Sequence, residues 1–133
     1  MAIAALIAFV VVYVIISVAY GTWLEKGFRT RRVVTRLSPE QLRDIFISRV
    51  ARAGWSVVDD DNPIVAQSGL MAGRRQQIAL SVARQGDWNV AVISVPRFWR
   101  KRGTPYKAHT LRLRMNSFLS AVTEADGAAQ ISG

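Results

Sequence analysis

Residues 77–96 read QIALSVARQGDWNVAVISVP, and this stretch decides the fold. Ile78, Leu80 and Val82 alternate with Gln77, Ala79 and Ser81, the two-residue period of a strand with one apolar side. Arg84-Gln85-Gly86-Asp87 has turn composition, and Trp88 to Val95 alternates again through Val90 and Val92 until Pro96 ends the run. Two shorter strands precede this hairpin. Trp55 to Val58 leads into Asp59-Asp60-Asp61-Asn62-Pro63, a turn by composition, and Ile64 to Gln67 leads into a loop holding Gly69 and Gly73. Connections this short predict an antiparallel four-stranded meander.

Helices flank the strands. Ser38-Pro39-Glu40-Gln41 is a helix start: an N-cap serine, a proline where no N–H is needed, and a glutamine that completes a capping box. Leu42, Ile45, Phe46, Val50 and Ala53 then recur at helical spacing, and Gly54 supplies a stop. Between Ala108 and Ala125, Leu111, Met115, Phe118, Leu119 and Val122 share one helical face. The expected domain is therefore α+β, ordered α-β-β-β-β-α across residues 38–125, with both helices on one face of the sheet and Phe46 and Phe118 in the core. Residues 126–133 read as a flexible tail.

The N-terminus is of another kind. From Met1 to Leu24 there is no Asp, Glu, Lys or Arg, and as a helix the run measures roughly 34 Å against roughly 30 Å of hydrocarbon. It lacks the basic n-region of a secretory signal and exceeds the length of a signal's apolar core. Residues 1–24 thus read as a retained transmembrane helix, with Tyr20 and Trp23 at the headgroup level. Residues 25–37 read as a basic juxtamembrane linker with a reach of at most roughly 45 Å. Its Lys26, Arg29, Arg31 and Arg32 form, with Tyr20 and Trp23, the expected membrane interface. Positive charge concentrated after the helix predicts a single-pass cell-membrane protein with its N-terminus outside and its domain in the cytoplasm.

All 18 basic and all 9 acidic residues follow Leu24, so the net charge of +9 belongs to the domain and its linker. That balance favours anionic partners. The chain has no Cys and one His, which excludes disulfides, thiolate metal sites and multi-histidine sites within one chain. Asp59, Asp60 and Asp61 lack the alternating ligand spacing of an EF-hand. His109 is the sole imidazole, no serine has a nucleophile-elbow context, and Gly69 and Gly73 lead into a strand without the Gly-Lys-Ser/Thr of a phosphate loop. Neither catalysis nor a cofactor is expected.

The most distinctive segment is Arg97-Phe98-Trp99-Arg100-Lys101-Arg102, four cations enclosing two aromatics. Both residue kinds suit an anionic membrane surface or a partner protein. A second reading places Phe98 and Trp99 over the end of the core. Nucleic-acid binding is disfavoured by the bilayer tether and by strands without an RNA-binding aromatic pattern. By elimination the sequence reads as a non-catalytic accessory or assembly subunit of a larger membrane protein complex. The alternative is a membrane-tethered module that binds or handles anionic lipid. The element order, with Gly54-Trp55-Ser56-Val57-Val58, Pro96 and the Arg-rich approach to the last helix, resembles small uncharacterised domains of actinobacterial membrane proteins. That resemblance implies service to respiratory or envelope and lipid-transport machinery.

Overall fold

A computed structural model describes residues 2–26, 28–69, 76–98, 100–101, 104–105 and 108–132; for residues 21, 24, 25, 100, 101, 104, 105 and 108 it describes the backbone alone. Helix α1 (Ala2–Lys26) is followed by β1 (Arg31–Thr35), α2 (Pro39–Arg49), β2 (Trp55–Asp60), β3 (Ile64–Ser68), β4 (Gln77–Gln85), β5 (Trp88–Arg97), β6 (Arg100–Lys101), β7 (Thr104–Pro105), α3 (Ala108–Ala125) and β8 (Gln130–Ser132). The fold is α+β, as the sequence predicts. Among the described residues one helix, α1, is long and apolar enough to cross a membrane, with none of Ala2–Tyr20 buried.

The sheet corrects the expectation of four strands. Among the described residues it has six, in the order β2-β3-β4-β5-β1-β8, and every neighbouring pair is antiparallel. The additions are β1 and β8, in segments whose composition reads as linker and tail. Strand β1 is interior, pairing with β5 on one side and with the edge strand β8 on the other. Its two arginines mask a strand whose Val33 and Thr35 are fully buried. Strands β6 and β7 form a separate small hairpin within the expected loop.

Local chemistry accounts for the elements that the sequence does reveal. Ser38 Oγ accepts from the Gln41 backbone N–H at 3.1 Å, and Gln41 Oε1 accepts from the Ser38 N–H at 2.9 Å, closing the capping box on both donors. Gln85 and Trp88 pair across Gly86-Asp87, and Gly86 takes φ +64°, as a primed two-residue hairpin turn requires of its first residue. The acidic run is only partly a turn: Asp59 and Asp60 belong to β2, while Asp61-Asn62-Pro63 reverses the chain through a cis Asn62–Pro63 bond. The Asn62 side chain holds that turn by donating to the Val82 carbonyl at 2.9 Å and accepting from the Val82 N–H at 3.0 Å.

One face of the sheet carries the core. Val33, Ile64, Ala66, Ile78, Leu80, Ala91 and Ile93 cluster with Leu42, Phe46 and Val50 from the α2 segment and Leu111, Met115, Phe118 and Val122 of α3. Phe46 and Phe118 meet edge to face, centroids 6.2 Å apart. The inward residues of β5 are Ala91 and Ile93. Val90 and Val92, the expected apolar alternation, point the other way, opposite Val34 and Arg32 of β1.

The end of α3 is tied to the end of β1. Asp126 accepts from the Arg36 N–H at 2.9 Å, the buried Thr35 hydroxyl at 2.7 Å and the Ala128 N–H at 3.0 Å. The Arg36 N–H first, then Thr35 and Ala128, hold its carboxyl below the usual carboxylate range. A carboxylate depressed on folding stabilises the fold above its unfolded pKa of about 3.9 and loses that contribution as pH falls through the lower folded value. We therefore expect Asp126→Asn to flatten the acid limb of a Tm-versus-pH curve below about pH 4. An unchanged limb would show that the interaction has no energetic weight.

Candidate interaction surface

Of the sequence-predicted interface residues, Arg31, Arg32 and Arg97 are brought to one end of the sheet by the antiparallel register. Strand β1 begins there and β5 ends there, with Arg31 opposite Ile93. The starts of β2 and β4 and the ends of β3 and β8 lie at the same end. This is the near end, because α1 joins the domain at it and contacts β7 and α3.

The junction is much shorter than a 13-residue linker. Helix α1 runs to Lys26, and Phe28, only 5% exposed, is already part of the core. Two residue steps span at most about 7 Å. The sequence signal for Phe28 is a lone aromatic in a basic stretch, and nothing local distinguishes it from an interfacial residue. Its partner is Phe98, edge-on at 5.0 Å between centroids, half-buried against the core. Phe98 therefore closes the near end of the core.

On α1, Tyr20 and Trp23 stack with centroids 6.1 Å apart and are 51% and 58% exposed. Lys26 and Arg29 are exposed in turn. Arg31 and Arg32 lie in β1 on opposite faces, Arg31 half-buried in the row of Ile93 and Arg32 exposed beside Val92. Arg97 ends β5 opposite Gln77 and is exposed. Arg100 and Lys101 form β6, paired with Pro105 and Thr104. Trp99 and Arg102 lie outside the described residues.

One nearby cation has structural work. Arg114, on the near half of α3, donates from Nη1 to the carbonyls of Val50 and Arg52, each at 2.8 Å, and from Nη2 to Ala53 at 3.3 Å. Its guanidinium also lies 5.0 Å from the centre of the buried Trp55 ring. A planar fork of donors caps the unsatisfied carbonyls at the end of α2 and locks the turn in which Ala53 and Gly54 adopt φ of 51° and 94°. Burial, and secondarily the charge of Arg52, lowers the Arg114 pKa from its ordinary value. Replacing Arg114 with Met should cost about 2–3 kcal/mol, the scale for charged hydrogen bonds lost at a partly buried site. Lys should recover only part of this, because a point charge does not span three carbonyls. Chemical unfolding of the two variants checks both statements.

Two open clefts lie away from this end. One, about 350 Å³, runs beneath the first turn of α2 beside Asp61, Asn62 and Val82, where Arg43 pairs with Asp60. The other, about 290 Å³, lies on the outer sheet face between Val34, Gln85, Trp88 and Gln130, with the Arg36 guanidinium 4.5 Å over the Trp88 ring. Among the described residues no group of three or more His, Asp or Glu is placed to hold a metal ion. His109 is exposed at the start of α3. Compared with known protein families, with curated proteins and with solved structures, the chain matches none.

Proposed function

We propose that this chain is a non-catalytic, single-pass accessory or assembly subunit of a larger membrane protein complex. Helix α1 spans the bilayer with its N-terminus outside, and the basic domain docks on the cytoplasmic side. The observation that carries this reading is the sheet face turned away from the helices. An antiparallel sheet with one solvated face alternates apolar inward and polar outward. Here the outward positions include the half-buried Val65 of β3, Val90 and Val92 of β5 and Val34 of β1, among Gln67, Ser81, Ser94 and Arg32. Such a surface suits a protein neighbour better than water, and α1 confines that neighbour to the membrane or its surface.

The test is a gentle-detergent purification of the tagged full-length protein. A membrane protein recovered in fixed ratio, and released by Val92→Asp while the Tm of the variant stays close to wild type, is the expected result. Recovery of the chain alone from native membranes would sink the subunit reading. The orientation is tested separately on Ser132→Cys, the only thiol in an otherwise cysteine-free chain. An impermeant maleimide should label it only after the cells are opened.

A further inference from the structure

The fold sorts the charges of the domain by sign along the strand direction. Every acidic residue beyond Glu25 falls in the far half: on the first half of α2, around the β2–β3 and β4–β5 turns, and at the end of α3. Among cations with described side chains, only Arg36, Arg43 and Arg84 share that half, and Arg43 is paired with Asp60. The others, from Lys26 and Arg29 through Arg49, Arg52 and Arg97 to Arg112, lie in the near half. No acidic residue after Glu25 accompanies them. The register that pairs Arg31 with Ile93 and ends β5 at Arg97 makes one basic end from segments far apart in the chain.

We propose that this near end is a docking surface for anionic phospholipid headgroups, seating the domain upright on the leaflet from which α1 emerges. The inference rests on α1 spanning the membrane. Its second support is the junction. With at most about 7 Å of chain between Lys26 and Phe28, Arg29 follows the helix end by at most about 10 Å, on the order of the Debye length of roughly 8 Å at physiological salt. The headgroup field is therefore only partly screened at Arg29, attracting the near end and repelling the acidic far end. The resulting torque fixes the domain's attitude and holds the apolar outer sheet face perpendicular to the bilayer, open to a neighbour alongside. Arg114, committed to the α2 carbonyls, is not part of this surface.

The experiment uses the full-length chain in nanodiscs of phosphatidylcholine with spin-labelled phosphatidylglycerol or spin-labelled phosphatidylcholine as probe. Electron paramagnetic resonance then gives the preference of the protein-restricted lipid shell for the anionic probe. Each cation held in the headgroup field favours the anionic lipid by up to about fivefold. The wild type should show a severalfold preference that collapses in 0.5 M salt, where the Debye length is roughly 4 Å. Arg29→Gln, Arg32→Gln and Arg97→Gln together should remove most of it while Lys26 remains, and the far-end pair Arg36→Gln and Arg84→Gln should leave it intact. Single substitutions with unchanged Tm give the same answer in graded form if the triple variant does not fold. Equal preference in wild type and in all near-end variants would overturn the proposal, as would a charge dependence that appears only in the co-purification with a protein partner. Extraction of the chain from the discs by carbonate would instead fault the membrane-spanning reading on which the proposal rests.

Discussion

Phe118→Ala is expected to lower the unfolding free energy of the domain by about 3–5 kcal/mol, the range for deleting a fully enclosed aromatic ring. Phe118 has no exposed surface and stands where α3 faces α2, its ring set at 76° to that of Phe46. The cavity would sit between both helices in the one core cluster they share with the sheet, so it cannot close without drawing core elements apart. Domains of this size are stable by about 5–15 kcal/mol in total, so the variant would be marginal at 37 °C. Leu113 supplies the control: it lies on the same helix but is 62% exposed, and its alanine variant should fall within about 0.5 kcal/mol of wild type. Urea unfolding followed by tryptophan fluorescence separates the two. A double-mutant cycle between Phe46 and Phe118 should return a coupling of about 0.5–1.5 kcal/mol from the edge-to-face contact. Equal losses at Phe118 and Leu113 would mean that α3 presents a different face to the sheet.

Elements specified by local chemistry were legible in the sequence, and those specified by distant pairing were not. The α2 start is written in four consecutive residues, and the β4–β5 hairpin in an alternation that turns at one glycine. Strand β1 has no such signature. Arg31 and Arg32 give it the composition of a juxtamembrane linker, and its partners lie in β5 and β8, more than 50 residues away in sequence. Pairing on both sides buries Val33 and Thr35, and two burial positions in five residues do not make a readable period. Strand β8 is shorter and wholly exposed, held by β1 and by the Asp126 contacts beside it. The outer sheet face misled for a related reason: Val90 and Val92 are larger than Ala91, so hydropathy alone assigns the wrong side of β5 to the core.

The interaction surface divides in the same way. Its ingredients are visible as basic runs at residues 26–36 and 97–102, but their convergence depends on β1 lying beside β5. Phe28 belongs with them. It replaces a long, loose tether with a rigid seat, and only the burial of Phe28 against Phe98 reveals this. Without that seat, the cations after α1 would be mobile charges on a linker; with it, they become a surface of fixed orientation.

Paired arginines at Val11 and Val12 are expected to abolish retention of the chain in the membrane. Ala2–Tyr20 contains eleven Ile, Leu, Val and Phe residues, each contributing about −0.3 to −0.6 kcal/mol to insertion at the helix centre, for a sum of roughly −3 to −7 kcal/mol. Each arginine near the midplane costs about 2.5–3.5 kcal/mol and also removes a valine. The two substitutions therefore cancel the apolar gain. Neighbouring positions on a helix point about 100° apart, so both arginines cannot share one protected face. Alkaline carbonate extraction should move the double variant from the pellet to the supernatant, and Leu6→Ala should stay in the pellet. The domain core begins at Phe28, so the extracted protein should keep the tryptophan emission of a buried Trp55. Retention of the double variant in the pellet would show that the helix still spans with both arginines in place, so that its apolar gain exceeds this sum. Loss of the Trp55 signal on extraction would show that the seat at Phe28 needs the helix in place, making anchor and domain one cooperative unit.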